Sequence, residues 1–174
     1  MKQSASPSEK VDVFELSRTR ARLAGRVEIA AMPRLAAMLA AQEGGLDYEI
    51  EGMVDRDGHP GARMSLSGGV AMSCNRCGKP VAIAVERDVP FRFVRSEAEA
   101  NAIPIEEDEE VEIIVGSVAL ELAAWVEEEA ILSLPLAPRH EDCPLPAGPE
   151  AAFEIESEAP RKPFSVLETL KRGK

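Results

Sequence analysis

Between Leu46 and Val94, apolar and polar residues alternate along three segments, 46–54, 62–73 and 81–94, separated by two clusters of turn-forming residues. A period of two puts every second side chain on one face of a strand, so this stretch is committed to a sheet rather than to a helical bundle. The first break, Asp55-Arg56-Asp57-Gly58-His59-Pro60-Gly61, closes a hairpin, and the second, Cys74-Asn75-Arg76-Cys77-Gly78-Lys79-Pro80, joins the middle strand to the third. Gly68-Gly69 inside the middle strand is expected to mark a bulge. The three segments together predict an antiparallel meander.

The flanking sequence adds helices. Arg18, Arg20 and Arg22 alternate into Gly25-Arg26-Val27-Glu28-Ile29, which predicts an extended element with one basic face, and Pro33 opens a short helix over 33–42 that Gly44-Gly45 stops. Val111 to Val115 reads as another strand. The main helix is expected over 117–134, capped by Ser117 and favoured by Glu121 near its positive end. Its apolar stripe is Val118, Leu122, Trp125, Val126 and Ala130, Pro135 ends it, and Glu127-Glu128-Glu129 reads as its wet face. The expected class is α+β: an antiparallel meander of four to six strands, open or barrel-like, packed by one main helix with short N-terminal and C-terminal helices. Only 4% of residues are aromatic, so the core must lean on aliphatic side chains. We expect a flexible N-terminus over 1–10 and a single domain over 11–143 with an acidic excursion at 96–110. A Pro-rich tether and basic tail follow over 144–174, with a short helix from Phe164 to Leu170.

The formal charge of −11 is unevenly spread: residues 18–95 carry 12 bases and 9 acids, whereas residues 96–160 carry one base and 18 acids. Residues 161–174 are basic again, with 5 bases and one acid. A basic front half beside an acidic rear half suits contact with two unlike partners. After Lys2 the chain lacks the apolar core of a signal peptide, and no run approaches the length of a membrane span, so a cytoplasmic location is expected.

Three cysteines, two of them in Cys74-x-x-Cys77, fit reduced thiols or metal ligation better than a disulfide framework. Gly78 follows at once, and glycine supplies the positive φ that lets backbone N–H groups point at sulfur in a metal knuckle. Tetrahedral zinc needs two further ligands. The third cysteine lies in His140-Glu141-Asp142-Cys143, so Cys74, Cys77, His140 and Cys143 form a candidate structural zinc clasp between a hairpin turn and the exit of the main helix. A metal-free turn and a redox pair are the alternatives, and the latter lacks the helix N-terminus that lowers a reactive thiol's pKa.

Arg76, Lys79, Arg87, Arg92 and Arg95 cluster around this knuckle and are candidate phosphate contacts, against the alternative of ordinary surface charge. His59 reads as a solvated loop residue rather than a catalytic base, because no nucleophile signature accompanies it. No phosphate loop, dinucleotide fingerprint or nucleophile elbow occurs, so no enzyme class or small-molecule substrate is suggested.

Three motifs in order resemble those of the bacterial YceD family: Cys74-Asn-Arg-Cys-Gly-Lys-Pro80; Val126-Glu-Glu-Glu-Ala-Ile-Leu-Ser-Leu-Pro135 with Pro138 and Cys143; and Lys162-Pro-Phe-Ser-Val-Leu-Glu-Thr-Leu-Lys-Arg172. The resemblance implies a role in accumulation of large-subunit (23S) ribosomal RNA and no catalytic residues. The expected function is a noncatalytic ribosome biogenesis factor that binds an rRNA precursor or a ribosomal protein. A protein-only adaptor or chaperone for a basic partner, carrying a zinc knuckle, is the alternative.

Overall fold

The alternating segments pair as long strands. In the computed structural model, which describes residues 3–4, 10–104 and 111–143, β4 (Gly45–Val54), β5 (Pro60–Ser73) and β6 (Pro80–Val94) run antiparallel in sequence order. They form the middle of an open six-stranded sheet whose outer strands are β1 (Gln3–Ser4), β3 (Arg22–Glu28) and β7 (Glu112–Val115), in the order β1-β3-β4-β5-β6-β7. β2 (Lys10–Val11) and β8 (Leu120–Glu121) make a separate two-stranded pair.

The sheet does not close into a barrel, because its end strands β1 and β7 do not pair with each other; both end pairings, β1 with β3 and β7 with β6, are parallel. Parallel pairing needs a crossover of about a dozen residues or more. The segment between Val94 and Glu112, which contains α3 (Glu97–Ala102), is long enough to provide it. Gly68 and Gly69 form no bulge, since the ladder runs through them as Gly68 opposite Val85 and Gly69 opposite Ala84.

One sheet face is dry. Ile50, Met64, Leu66, Val85, Val89, Phe91 and Phe93 are buried there beneath three helices, α1 (Val13–Thr19), α2 (Pro33–Met38) and α4 (Leu122–Ser133). Trp125 of α4 meets Phe91 and Phe93 edge-on, with ring centroids 5.0 and 5.9 Å apart, a geometry that suits aromatic quadrupoles. The other face is wet and laced with ion pairs, Arg22 with Glu49 and Glu51, Arg26 with Asp47, and Arg63 with Asp88.

The alternating arginines do not form one extended basic element. Asp12 Oδ1 accepts from the N–H groups of Phe14 and Glu15, both at 3.0 Å, and starts α1; Arg20, at φ 52°, ends it. Burial of Val13, Leu16 and Ser17 at helical spacing overrides the alternation. α1 also lies directly on β4: a Cβ on Gly52 would sit 2.0 Å from Leu16 O, so only glycine permits this approach.

Two expectations for the main helix need correction. Residues 117–121 are outside it: Ser117 Oγ accepts from Ala119 N–H in a local turn, and Leu120 pairs with Val11, so α4 begins at Leu122 and Val118 stays exposed. The glutamate run is not a wet face either, for Glu127 and Glu129 are buried and only Glu128 is exposed. Helical geometry sends Glu127 and Glu129 to different neighbours, each supplying hydrogen-bond donors. Glu127 Oε1 accepts from the N–H groups of Arg34 (2.7 Å) and Leu35 (3.1 Å), capping α2, whose own Met32 offers no side-chain cap. The expected tether over 144–162, the helix over 164–170 and residues 105–110 of the acidic excursion lie outside the described residues.

Candidate metal centre

β5 and β6 outrun their neighbours. β4 pairs with β5 only as far as Gly68, and β7 meets β6 only from Phe91 onward, so residues 69–84 project as a two-stranded arm with the cysteine turn at its tip. Gly78 takes φ +72°, as the knuckle reading requires, and its N–H donates to Cys74 O at 2.9 Å while Cys74 N–H donates to Lys79 O at 2.9 Å. Arg76 N–H points at Cys74 Sγ from 3.4 Å. The chain leaving α4 folds back onto this turn: Asn75 N–H donates to Pro138 O at 2.8 Å, and Arg76 Nη1 donates to Cys143 O at 2.6 Å.

This return brings the four sequence-selected donors together. Ligand atoms of Cys74, Cys77, His140 and Cys143 all lie within 4.8 Å of one another. Cys74 Sγ is 3.9 Å from Cys143 Sγ, and Cys77 Sγ is 3.7 Å from His140 Nδ1. A tetrahedral zinc with its usual bond lengths sets sulfur atoms about 3.7 Å apart and sulfur and nitrogen about 3.5 Å apart. His140 Nε2 lies 2.9 Å from Pro80 O, an arrangement that assigns the ring proton to Nε2 and leaves the Nδ1 lone pair facing the sulfurs. The set is therefore compatible with a structural zinc site, closed by four protein ligands.

The two buried thiols differ in their electrostatics. Burial opposes ionisation of Cys74, but the backbone N–H groups of Cys77, Arg76 and His140 counter it and help bring the thiol down to about 5. Cys143 moves the other way, to about 11, through burial and its proximity to Cys77 and Cys74. Thiolates this close repel one another, and a bound cation would offset that repulsion.

The five basic residues do not converge as the four ligands do. Arg76 sits within the clasp and Lys79 is exposed on the turn. Arg87 lies on the helix-covered face, donating to Glu112 Oε1 at 2.6 Å and Glu129 Oε2 at 3.4 Å. Burial holds the Glu129 carboxyl above its ordinary range; Glu112 adds to the shift and Arg87 opposes it. Arg92, five residues on from Arg87, faces the opposite side of the sheet, and Arg95 lies beyond β6 with its guanidinium 5.7 Å from the Phe14 ring centre. His59 stays in its loop, its Nδ1 2.8 Å from Asp55 Oδ2.

Arg139 was not singled out by any motif, yet it is exposed beside the clasp and lines, with Arg76, a cavity of about 470 Å³ at the end of α4. The signal in the sequence was its position: it is the lone base among residues 96–160 and adjoins the ligand His140.

Residues 62–171 match the family described as large ribosomal RNA subunit accumulation protein YceD. The chain belongs to the YceD family. That match takes in the arm, the cysteine turn and α4 with its return loop, so all four clasp residues fall inside it. The family description places the chain among proteins of large-subunit RNA accumulation, not among known enzymes. No solved structure matches the chain. Among the described residues, no helix is long and apolar enough to cross a membrane.

Proposed function

We propose that this YceD-family chain is a noncatalytic, cytoplasmic factor in assembly of the large ribosomal subunit, whose clasped hairpin tip carries a structural zinc and engages ribosomal RNA. Family membership over residues 62–171 is the observation that carries this reading. The convergence of Cys74, Cys77, His140 and Cys143 supports the metal, and the exposed cations Lys79 and Arg139 with Arg76 at the same tip support phosphate contact. Zinc here would join the turn to the loop after α4 and fix the direction in which these cations point.

Two measurements test the proposal. Protein purified without chelators should contain about one zinc per chain, lost in Cys74→Ser. The full chain should bind a large-subunit RNA transcript with affinity that falls as salt rises, and a combined Arg76→Gln, Lys79→Gln variant should bind less well with a shallower salt dependence. A chain that ignores RNA yet copurifies with a basic ribosomal protein would replace the RNA reading with that of a protein adaptor.

A further inference from the structure

We infer that the cavity beside the clasp is a nucleotide-binding groove that seats one phosphodiester and its adjoining base from single-stranded RNA. The inference rests on the RNA reading above and locates its contact at Arg139, outside the strand arginines that the sequence singled out.

The groove's volume, about 470 Å³, falls in the range of sites for small ligands, roughly 300 to 1,000 Å³. Its walls differ in chemistry. Arg76 and Arg139 supply cations, while Ile83, Pro135, Ala137 and Pro138 supply apolar surface. A phosphate requires the first and the face of a base suits the second. Arg76 is held in place by its bond to Cys143 O, and Arg139 has no ion pair among the described residues, so one cation is preset and the other is free to close on the ligand. Glu141 also lines the groove. Its carboxylate repels a bare polyanion but accepts from the amino groups of bases or from a ribose 2′-hydroxyl, which favours RNA over inorganic phosphates.

By contrast, Arg87 is engaged by two carboxylates on the helix-covered face, and Arg22, Arg26 and Arg63 on the wet face are matched with acids. The groove thus joins available positive charge to apolar lining where the loop after α4 is bonded to the cysteine turn.

The test is binding of a short fluorescein-labelled single-stranded RNA of mixed sequence to the full chain across a salt titration. Arg139→Gln should weaken binding about three- to tenfold and flatten the log-log salt slope by about 0.7, the share of one phosphate contact on a single strand. Its zinc content should not change, and Arg18→Gln, on α1, should bind like the parent. Arg76→Gln should repeat the loss. Inorganic pyrophosphate should compete poorly. Parent binding with an undiminished Arg139→Gln variant would overturn the groove while leaving RNA binding in place, and pyrophosphate competing as well as RNA would overturn its nucleotide character. Failure of the parent to bind any RNA would overturn both the groove and the RNA reading beneath it.

Discussion

The two ends of the β5–β6 hairpin are held by different means. At the sheet end, Val85, Val89, Phe91 and Phe93 are buried with Trp125, Val126 and Leu122 in the main core. Val70 and Met72 at the base of the arm still belong to that core, whereas the buried cluster at the tip comprises Cys74, Val81 and Cys143, with Cys77 and Ile83 packed at its side. A two-stranded ribbon is marginal in water on its own, and so few side chains bury too little area to change that. The sheet end therefore draws its stability from removing apolar surface from water, whereas the tip is tied to residues 138–143 by the Asn75–Pro138 and Arg76–Cys143 hydrogen bonds, with four potential ligand atoms gathered between them.

This contrast can be broken at either end. The largest effect is expected at the sheet end: Trp125→Ala should cost about 3–5 kcal/mol in denaturant unfolding while leaving the zinc stoichiometry intact. At the arm, chelation or Cys143→Ser should speed amide hydrogen exchange at 70–84 and 134–143 at least about tenfold and leave 46–66 and 85–94 near their original rates. Uniform acceleration over the whole sheet would mean that the two ends are a single unit.

Smaller effects come from the two buried glutamates of α4. Glu127→Gln should cost about 1–2 kcal/mol, since it weakens the cap on α2. Burial opposes the Glu127 carboxylate, but the N–H groups of Leu35 and Arg34 and the Arg34 guanidinium prevail and hold its pKa below the ordinary value. Its stabilisation is thus present above the unfolded pKa, about 4.3, and lost as pH falls through the folded one, so the variant should show a flatter acid limb. Glu129 has the opposite sign: with a raised folded pKa, it destabilises increasingly as pH climbs from about 4.3 through that value. Glu129→Gln, which leaves Glu112 to Arg87, should gain less than about 1 kcal/mol at neutral pH, and a clear loss there would show that the Arg87 pair outweighs burial.

What could be read in advance was whatever a short period or a rigid residue encodes. Strands 46–54, 62–73 and 81–94 were legible to within two residues at each end because their alternation is long and Gly, Pro and Asp mark their limits. The cysteine turn was legible because a tight turn of that length calls for a glycine at positive φ, which Gly78 supplies. The short helix α1 was hidden, since seven residues give too few turns for a 3.6-residue period to outweigh three alternating arginines. Glu127 and Glu129 were misjudged for a different reason: their burial depends on partners 42 to 93 residues away, and no local pattern carries that information. Arg139 belongs with them, for it matters only once the loop has turned back on the arm.

The carboxylate that closes the start of α2 has a consequence for synthesis. Residues 33–38 leave the translating ribosome about ninety positions before Glu127, the group that satisfies their free amides. At roughly 5–20 residues per second that is an interval of several seconds. During it the first part of the chain waits in an incomplete form for a side chain that has yet to be made.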